Sequence, residues 1–361
     1  MRIKVLSAMA MMASVAFLAT GCSSPDSAGS TAAPASSASA DTAAMTATLD
    51  YIASGLPTLT GKKIAYLTEC ATQNTFCQTR WQGAQDAAAE VGAEITLFDA
   101  AFTPATQLQQ TQDAIQQGFD GYVLSPVADS TGCANFKLLQ ATDNPVVNIN
   151  SPMCGNADFT DGTVGFVAMQ TESFFLEHIE NAFASCEEAC EAVAVGGFVG
   201  SDLFTRWENA IQTASAKYPN VDVVVDQPGS FDPKAALTVV QDALSSHPDA
   251  ELVISSWDDM TRGVEQAIIA AGKAPGTDVR IYSVGGTTLG LEQVKAGKWT
   301  ETSVLLPYEE SYYGVVQLAN ALDGGEGTTG FTYLAQSPII VDGPGSIFLT
   351  MDNADTFTPE Y

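Results

Sequence analysis

Histidine is nearly missing from this chain of 361 residues: there are only two, His178 and His247. An imidazole-held metal needs His or Cys clustered at ligand spacing, and neither His neighbours a Cys pair, so no metal site is expected. A Ser-His-Asp set would have to use one of the two, yet His178 falls inside a helical stretch and His247 precedes Pro248 in a turn. G-x-S-x-G and G-x-x-x-x-G-K-[ST] are both absent, and the glycine clusters Gly196-Gly197-Phe198-Val199-Gly200 and Gly285-Gly286-Thr287 lack the G-x-G-x-x-G spacing. These absences remove the usual signatures of acyl transfer, nucleotide hydrolysis and dinucleotide binding. The chain is therefore read as not an enzyme and as carrying no cofactor.

Basic residues are the second shortage. Lys and Arg number 14 against 42 Asp and Glu, a formal net charge of −28. Duplex binding places cations on phosphates, so nucleic acid is excluded as a partner. Anionic lipid surfaces gain nothing from such a chain either. The excess reads as solvated surface charge that maintains solubility; the minority reading is attraction of cationic ligands. Charged residues make up only 16% and hydrophobic residues 46%, which excludes a disordered chain and allows real cores. The length suits roughly two domains.

The N-terminal segment, residues 1–21, reads as an export signal. Arg2 and Lys4 form a basic start, and Val5 to Ala19 is an apolar run too short to span a bilayer comfortably. Ala19-Thr20-Gly21-Cys22 resembles the lipobox of bacterial lipoproteins, with Ala19 where an aliphatic residue is usual. That resemblance implies lipidation of Cys22 and anchoring to the outer face of the cell membrane. Residues 22–60 follow as a lipidated Cys and tether; Ser23 to about Thr48 is Ser, Ala, Pro, Gly and Thr with almost no large apolar residue, a composition expected to stay flexible.

Seven cysteines are present. With Cys22 set aside, six remain for an oxidising compartment. Spacing favours three local disulfides: Cys70–Cys77, Cys133–Cys154 and Cys186–Cys190.

Beyond the tether, strand-like and helix-like segments alternate. Lys63–Leu67, Glu94–Phe98, Gly121–Leu124 and Pro145–Ile149 read as buried strands; Thr79–Val91, Ala105–Gln117 and Asn135–Ala141 read as the helices between them. The pattern restarts with a helix over Thr171–Ala184. Strands at Glu191–Phe198, Val221–Val225, Glu251–Ser255 and Val279–Val284 then alternate with helices at Arg206–Lys217, Pro233–Ser245, Met260–Ala271 and Thr288–Lys295. Thr302–Leu305 and Glu310–Leu322 supply one more strand and helix. Such alternation builds βαβ units, and two runs of it predict an α/β protein of two doubly wound parallel-sheet lobes joined by a hinge. On that scaffold, ligands bind at the C-terminal ends of the strands.

Several ordered motifs carry a resemblance over nearly all of Lys62 to Pro338. Gln73-Asn74-Thr75-Phe76 follows the first strand, Ser125-Pro126-Val127 ends the third, and Pro145-Val146-Val147 leads into Asn150. Phe231-Asp232 precedes a second-lobe helix; Asp258-Asp259-Met260, Gly286-Thr287 and Lys295-Ala296-Gly297-Lys298 complete the series. The chain resembles the type I periplasmic solute-binding proteins, in the ribose- and galactose-binding branch. The resemblance implies a monomeric binder whose lobes close on a small molecule and which docks on an ABC permease driven by its ATPase. It also implies chain crossovers between the lobes: residues 61–167 plus 305–334 form the N-terminal lobe, and 168–304 plus 335–361 the C-terminal lobe. A ligand sensor docking on a membrane receptor is the alternative use of the same fold, and a true sugar-binding protein with a divergent pocket is another.

The same resemblance implies site residues. Asn74 and Phe76 match the first-lobe wall, and Arg80 is counted among the ligand-binding residues; Phe231 matches the second-lobe aromatic, and Arg206 lies near the family's pocket arginine. Asp258 adjoins the pocket position held by Trp257. Five positions depart from the family: Asn150 stands where an acid is usual, Ser151 where an arginine follows it, Trp257 where an amide is found, Gly285 where another acid sits, and Leu305 where a glutamine sits. A site that pairs hydroxyls must supply buried polar partners. The substitutions therefore predict a larger, more apolar pocket with Trp257 as a stacking plate, suited to an aromatic or stacked ring compound less hydroxylated than a pentose; the rival reading of Trp257 is a core or hinge tryptophan.

Overall fold

A computed structural model describes residues 37–361 apart from 157, 158 and 329. The export segment, Cys22 and the start of the tether lie outside the described residues. The chain opens with helix α1 (Ser37–Ser54), then β1 (Lys63–Thr68), α2 (Thr75–Glu90), β2 (Glu94–Asp99), α3 (Pro104–Gln117), β3 (Gly121–Leu124), α4 (Asp129–Gln140), β4 (Val146–Ile149) and β5 (Phe166–Ala168). Next come α5 (Glu172–Ala184), β6 (Cys190–Gly196), α6 (Asp202–Lys217), β7 (Val221–Pro228), α7 (Pro233–Ser246), β8 (Leu252–Ser255), α8 (Asp258–Ala270), β9 (Arg280–Gly285) and α9 (Thr288–Lys295). β10 (Glu301–Val304), α10 (Pro307–Leu322), β11 (Phe331–Tyr333), α11 (Pro338–Val341) and β12 (Phe348–Leu349) complete the order.

The strands form two six-stranded sheets, one ordered β11-β5-β4-β3-β1-β2 and the other β12-β10-β9-β8-β6-β7. The first is parallel throughout; in the second only β12 runs antiparallel, against β10. Central strands such as β3, β4 and β8 are buried along their whole length, which is what continuous apolar runs dictate when helices cover both faces. The chain passes between lobes after β5, after β10 and after β11. The strand Glu301–Val304 thus belongs to the second sheet, whereas α10 packs on α2 of the first lobe.

Two helix starts lie earlier than apolar periodicity alone places them, because polar caps set them. Asn74 accepts from the Cys77 N–H at 2.9 Å and opens α2 at Thr75; Ser201 accepts from Phe204 N–H at 3.2 Å and opens α6 at Asp202. β5, three residues long, gave no readable periodicity.

The flexible tether expected to run to residue 60 is corrected over its second half. Residues 37–54 form α1, which packs on β11 and α10. The segment lacks Gly and Pro and is rich in Ala, the strongest helix former. Ala44, Met45 and Thr48 are buried, and Thr48 Oγ1 accepts from Gln317 Nε2 at 3.0 Å, so a narrow face suffices to dock it.

Candidate functional site

The C-terminal ends of both sheets face one cleft between the lobes. From the first lobe, Glu69 directly follows β1, Asn150 follows β4 and Gln170 stands two residues beyond β5; Asn74 and Phe76 come from the start of α2, and Phe102 from the loop after β2. From the second lobe, Phe231 lies just beyond β7, Ser256 and Trp257 beyond β8, Leu305 beyond β10, and Leu203 in the first turn of α6. This recess encloses about 480 Å3, part of it open to solvent. A second recess of about 360 Å3 shares Glu69, Phe102, Asn150, Leu203 and Phe231 with it and adds Pro126, Phe198 and Asp202. The Cys70–Cys77 disulfide lies in the wall of the larger recess; the structure also joins Cys133 to Cys154 and Cys186 to Cys190.

Three lining residues hold left-handed backbone without being glycine: Phe102 at φ +58°, Asn150 at +66° and Phe231 at +51°. Such conformations are unfavourable for bulky side chains and persist where the surroundings enforce them, commonly at ligand sites. Here they turn two rings and an amide into the cleft.

The lobes also touch each other across the cleft. Phe102 meets Phe198 edge-on at 6.0 Å, Arg206 Nη2 donates to Ser151 Oγ at 3.1 Å, and the Asp129 N–H donates to the Asp202 carboxylate. Phe198, Phe231 and Trp257 continue the aromatic run, each edge-to-face with the next at 5.8 and 6.0 Å. The two lobes thus stand in a closed arrangement.

Behind the first-lobe wall lies a buried ionic cluster. Arg80 is fully buried; it pairs with Glu69 at 2.6 Å and with Glu310 at 3.4 Å, and donates to Thr68 Oγ1 at 2.8 Å. Burial works against the guanidinium charge, but Glu69, Tyr66 and Glu310 hold it above its ordinary range. Burial pushes the Glu310 carboxyl up to about 7, against the pull of Arg80. Asn150 Nδ2 donates to Glu310 at 3.2 Å, and Ser125 Oγ donates to Glu69. Glu69 alone of this cluster's ionic groups is in the cleft wall.

Of the residues named from the sequence, Asn74, Phe76, Asn150, Phe231, Trp257 and Leu305 meet in the larger recess. Three are corrected in place. Arg80 lies behind the wall because two carboxylates claim it. Asp258 is also behind the wall: it is fully buried, and its oxygens accept from Ser283 Oγ at 2.6 Å, Thr302 Oγ1 at 2.8 Å, Thr287 Oγ1 at 2.8 Å and the Thr287 N–H at 3.0 Å. With both oxygens doubly engaged it has no capacity left for a ligand; burial raises its pKa and those four bonds oppose the rise. Gly285 cannot carry a wall side chain at all. Its φ is +155°, and a Cβ there would sit 2.6 Å from the Asp258 carboxylate. Arg206 stands beside the second recess, with burial bringing its pKa down to about 10 and Nη1 unpartnered among the described residues.

Sequence reasoning passed over Glu69, Phe102, Gln170, Leu203 and Ser256. For Glu69, Gln170 and Ser256 a signal existed: each stands one or two places beyond a strand in a doubly wound pattern, where ligands sit. His178 and His247 are elsewhere; His178 is buried in α5 with Nδ1 2.8 Å from Ser303 Oγ.

Comparison with known proteins agrees with this geometry. The family model for the periplasmic binding protein domain matches residues 64–326. The ribose import binding protein of Salmonella typhimurium is 27% identical over 256 residues, covering 70% of this chain and 82% of the relative. The D-allose-binding periplasmic protein of Escherichia coli is 22% identical over 266 residues, with the same shares covered. Among solved structures, a solute-binding protein of an ABC transporter from Bacillus halodurans with bound myo-inositol superposes with a TM-score of 0.71 at 18% identity, covering 84% of this chain and 99% of that one. A Mycobacterium smegmatis protein in complex with β-D-fucofuranose gives 0.64 at 24% identity, covering 73% and 87%.

Proposed function

The chain belongs to the periplasmic binding protein family, and from that premise we propose that it is the extracytoplasmic solute-binding component of an ABC importer, not an enzyme. It captures one small molecule between its lobes and presents the closed form to a membrane permease and its ATPase. A cleft walled by side chains of both lobes carries the reading: only a ligand that touches both can favour closure, since a ligand with equal affinity for open and closed forms shifts nothing. The export segment and Cys22 support placement at the outer face of the cell membrane through a lipid. No helix among the described residues is long and apolar enough to cross a membrane.

The ligand is proposed to be a ring or apolar-bodied compound less hydroxylated than a pentose. Leu305 presents a side chain with no hydrogen-bonding atom, and the Gly285 position presents none. Trp257, half-buried in the wall and edge-on to Phe231, is placed to stack on a flat body. A sugar ligand is the second reading, favoured by relatives named for ribose and D-allose and by the polar set Glu69, Asn74, Asn150 and Gln170. Native mass spectrometry of ligand carried through purification, followed by thermal-shift titration, separates the two. A stabilising pentose or hexose would retire the less-hydroxylated reading; no stabilising solute of any class would count against capture itself.

A further inference from the structure

Resting on that reading of the cleft as the capture site, we propose that its ligand is a small organic ammonium ion, held by aromatic faces with the Glu69 carboxylate as counter-charge. Four features of the cleft combine. Aromatic rings enter from both lobes: Phe102 and Phe76 on one side, Phe76 with one face already under the Arg80 guanidinium at 5.4 Å, and Phe231 and Trp257 on the other. A ring quadrupole attracts cations over its face and offers nothing comparable to a neutral hydroxyl. Every ionised side chain in the walls of the two recesses is acidic, Glu69 and Asp202; no Lys, Arg or His is in either wall among the described residues.

The nearby guanidiniums do not cancel this field. Arg80 is shared between Glu69 at 2.6 Å and, at 3.4 Å, Glu310, whose carboxyl burial pushes up to about 7. Arg206 donates to Ser151 and to the Asp202 carbonyl, has Nη1 unpartnered among the described residues, and has the carboxylates of Asp202, Glu172 and Asp129 around it. Acid therefore outnumbers base around the cleft, as it does over the whole chain, whose net charge of −28 would draw a cation toward it. Finally, Ser256 Oγ is in the wall, buried and unpartnered among the described residues, which leaves an unused polar atom for a ligand N–H. A polyol would instead demand several side-chain donors and acceptors in register. Here the Asn150 amide is engaged by Glu310 and Ser151, Asn74 Oδ1 by its helix cap, and Leu305 supplies none, which leaves the Gln170 amide, Asn74 Nδ2 and Ser256 Oγ as the wall's neutral polar groups for a ligand.

The test uses the purified protein and charge-matched pairs: choline against 3,3-dimethylbutan-1-ol, its neutral carbon isostere, and phenethylamine against 2-phenylethanol, with D-ribose and myo-inositol as the polyol arm. Calorimetry and thermal shift are expected to show the ammonium member of a pair binding about tenfold or more tightly than its neutral partner, with the preference weakening as salt rises. Glu69→Gln should erase the preference. Trp257→Leu should lower cation affinity and Trp257→Phe restore part of it; both keep the Glu69–Arg80 pair and so stay informative should Glu69→Gln not fold. Equal binding of charged and neutral members, or stabilisation by polyols alone, overturns the ammonium assignment and leaves two-lobe capture standing. Silence from every probe counts against the assignment, whereas capture itself stands or falls on the ligand recovered by native mass spectrometry.

Discussion

Both lobes bury a carboxylate behind the cleft wall, and they solve the problem in opposite ways. The first lobe uses charge: Glu310 and Glu69 lean on one guanidinium, Arg80. The second uses neutral donors: Asp258 is held by three hydroxyls and one backbone N–H that tie β9, β10 and the start of α9 to α8. A charge-paired cluster responds to nearby charge, to protons and to ligand. A hydroxyl-satisfied carboxylate, both oxygens full, responds to little. The first wall is thereby the sensitive one and the second the frame that fixes Phe231 and Trp257.

The largest expected effect comes from breaking the charged side. Arg80→Met leaves two buried carboxylates unpaired and is expected to cost about 3–5 kcal/mol in urea unfolding at neutral pH, with part of the loss recovered at low pH. Next is the pH dependence of the wild type. Glu310 titrates at about 7 in the folded chain against 4.5 for a free carboxyl. The folded state thus holds this proton longer than the unfolded one, and its contribution favours folding most below pH 4.5 and fades as pH rises through 7. The change is up to about 3 kcal/mol, and Glu310→Gln should flatten that segment of the stability–pH curve. Asp258→Asn should cost less, about 1–3 kcal/mol, because an amide still accepts at one atom while its NH2 faces donors; since burial holds the Asp258 carboxyl above its ordinary range, the variant should also lose the fall in stability that the wild type shows as pH rises through that group's titration. Smallest is Phe198→Ala, which removes the ring contact with Phe102 that joins the lobes. About 1 kcal/mol of closure energy should be lost, read as a few-fold weaker ligand binding and a larger radius in X-ray scattering. Unchanged values there would mean that the remaining contacts between the lobes, among them Arg206–Ser151, Asp129–Asp202 and the Phe76–Tyr361 ring pair, suffice to hold them together.

Most of the architecture was legible because alternating strands and helices leave a strong periodic record, and the two-lobed α/β scaffold follows from it. What escaped had weak local signal. β5 is short, α1 hides in an Ala-rich stretch whose docking depends on Met45 and Thr48 finding β11 and α10, and helix starts depend on single caps. In the site, rings and wall positions carried by ordered motifs were readable. The direction a side chain faces was not. Asp258 and Arg80 share their segments with wall residues, and only packing turns them inward. Gly285 looked like a lost acid; the space next to it is filled by Asp258, so no side chain fits. Phe102 gave no warning at all, since its left-handed backbone sits in a loop with no motif.

The three passages of the chain between lobes have a consequence for how the molecule is made. α10 and β11, which cover and border the first sheet, are synthesised only after every parallel strand of the second lobe has been laid down. A nascent chain emerging end-first can therefore close the second lobe's parallel sheet while the first still shows the apolar face that α10 will cover. That half-built lobe is the interval when the chain is most open to mispairing and proteolysis, and truncations ending between Leu305 and Tyr333 should expose it.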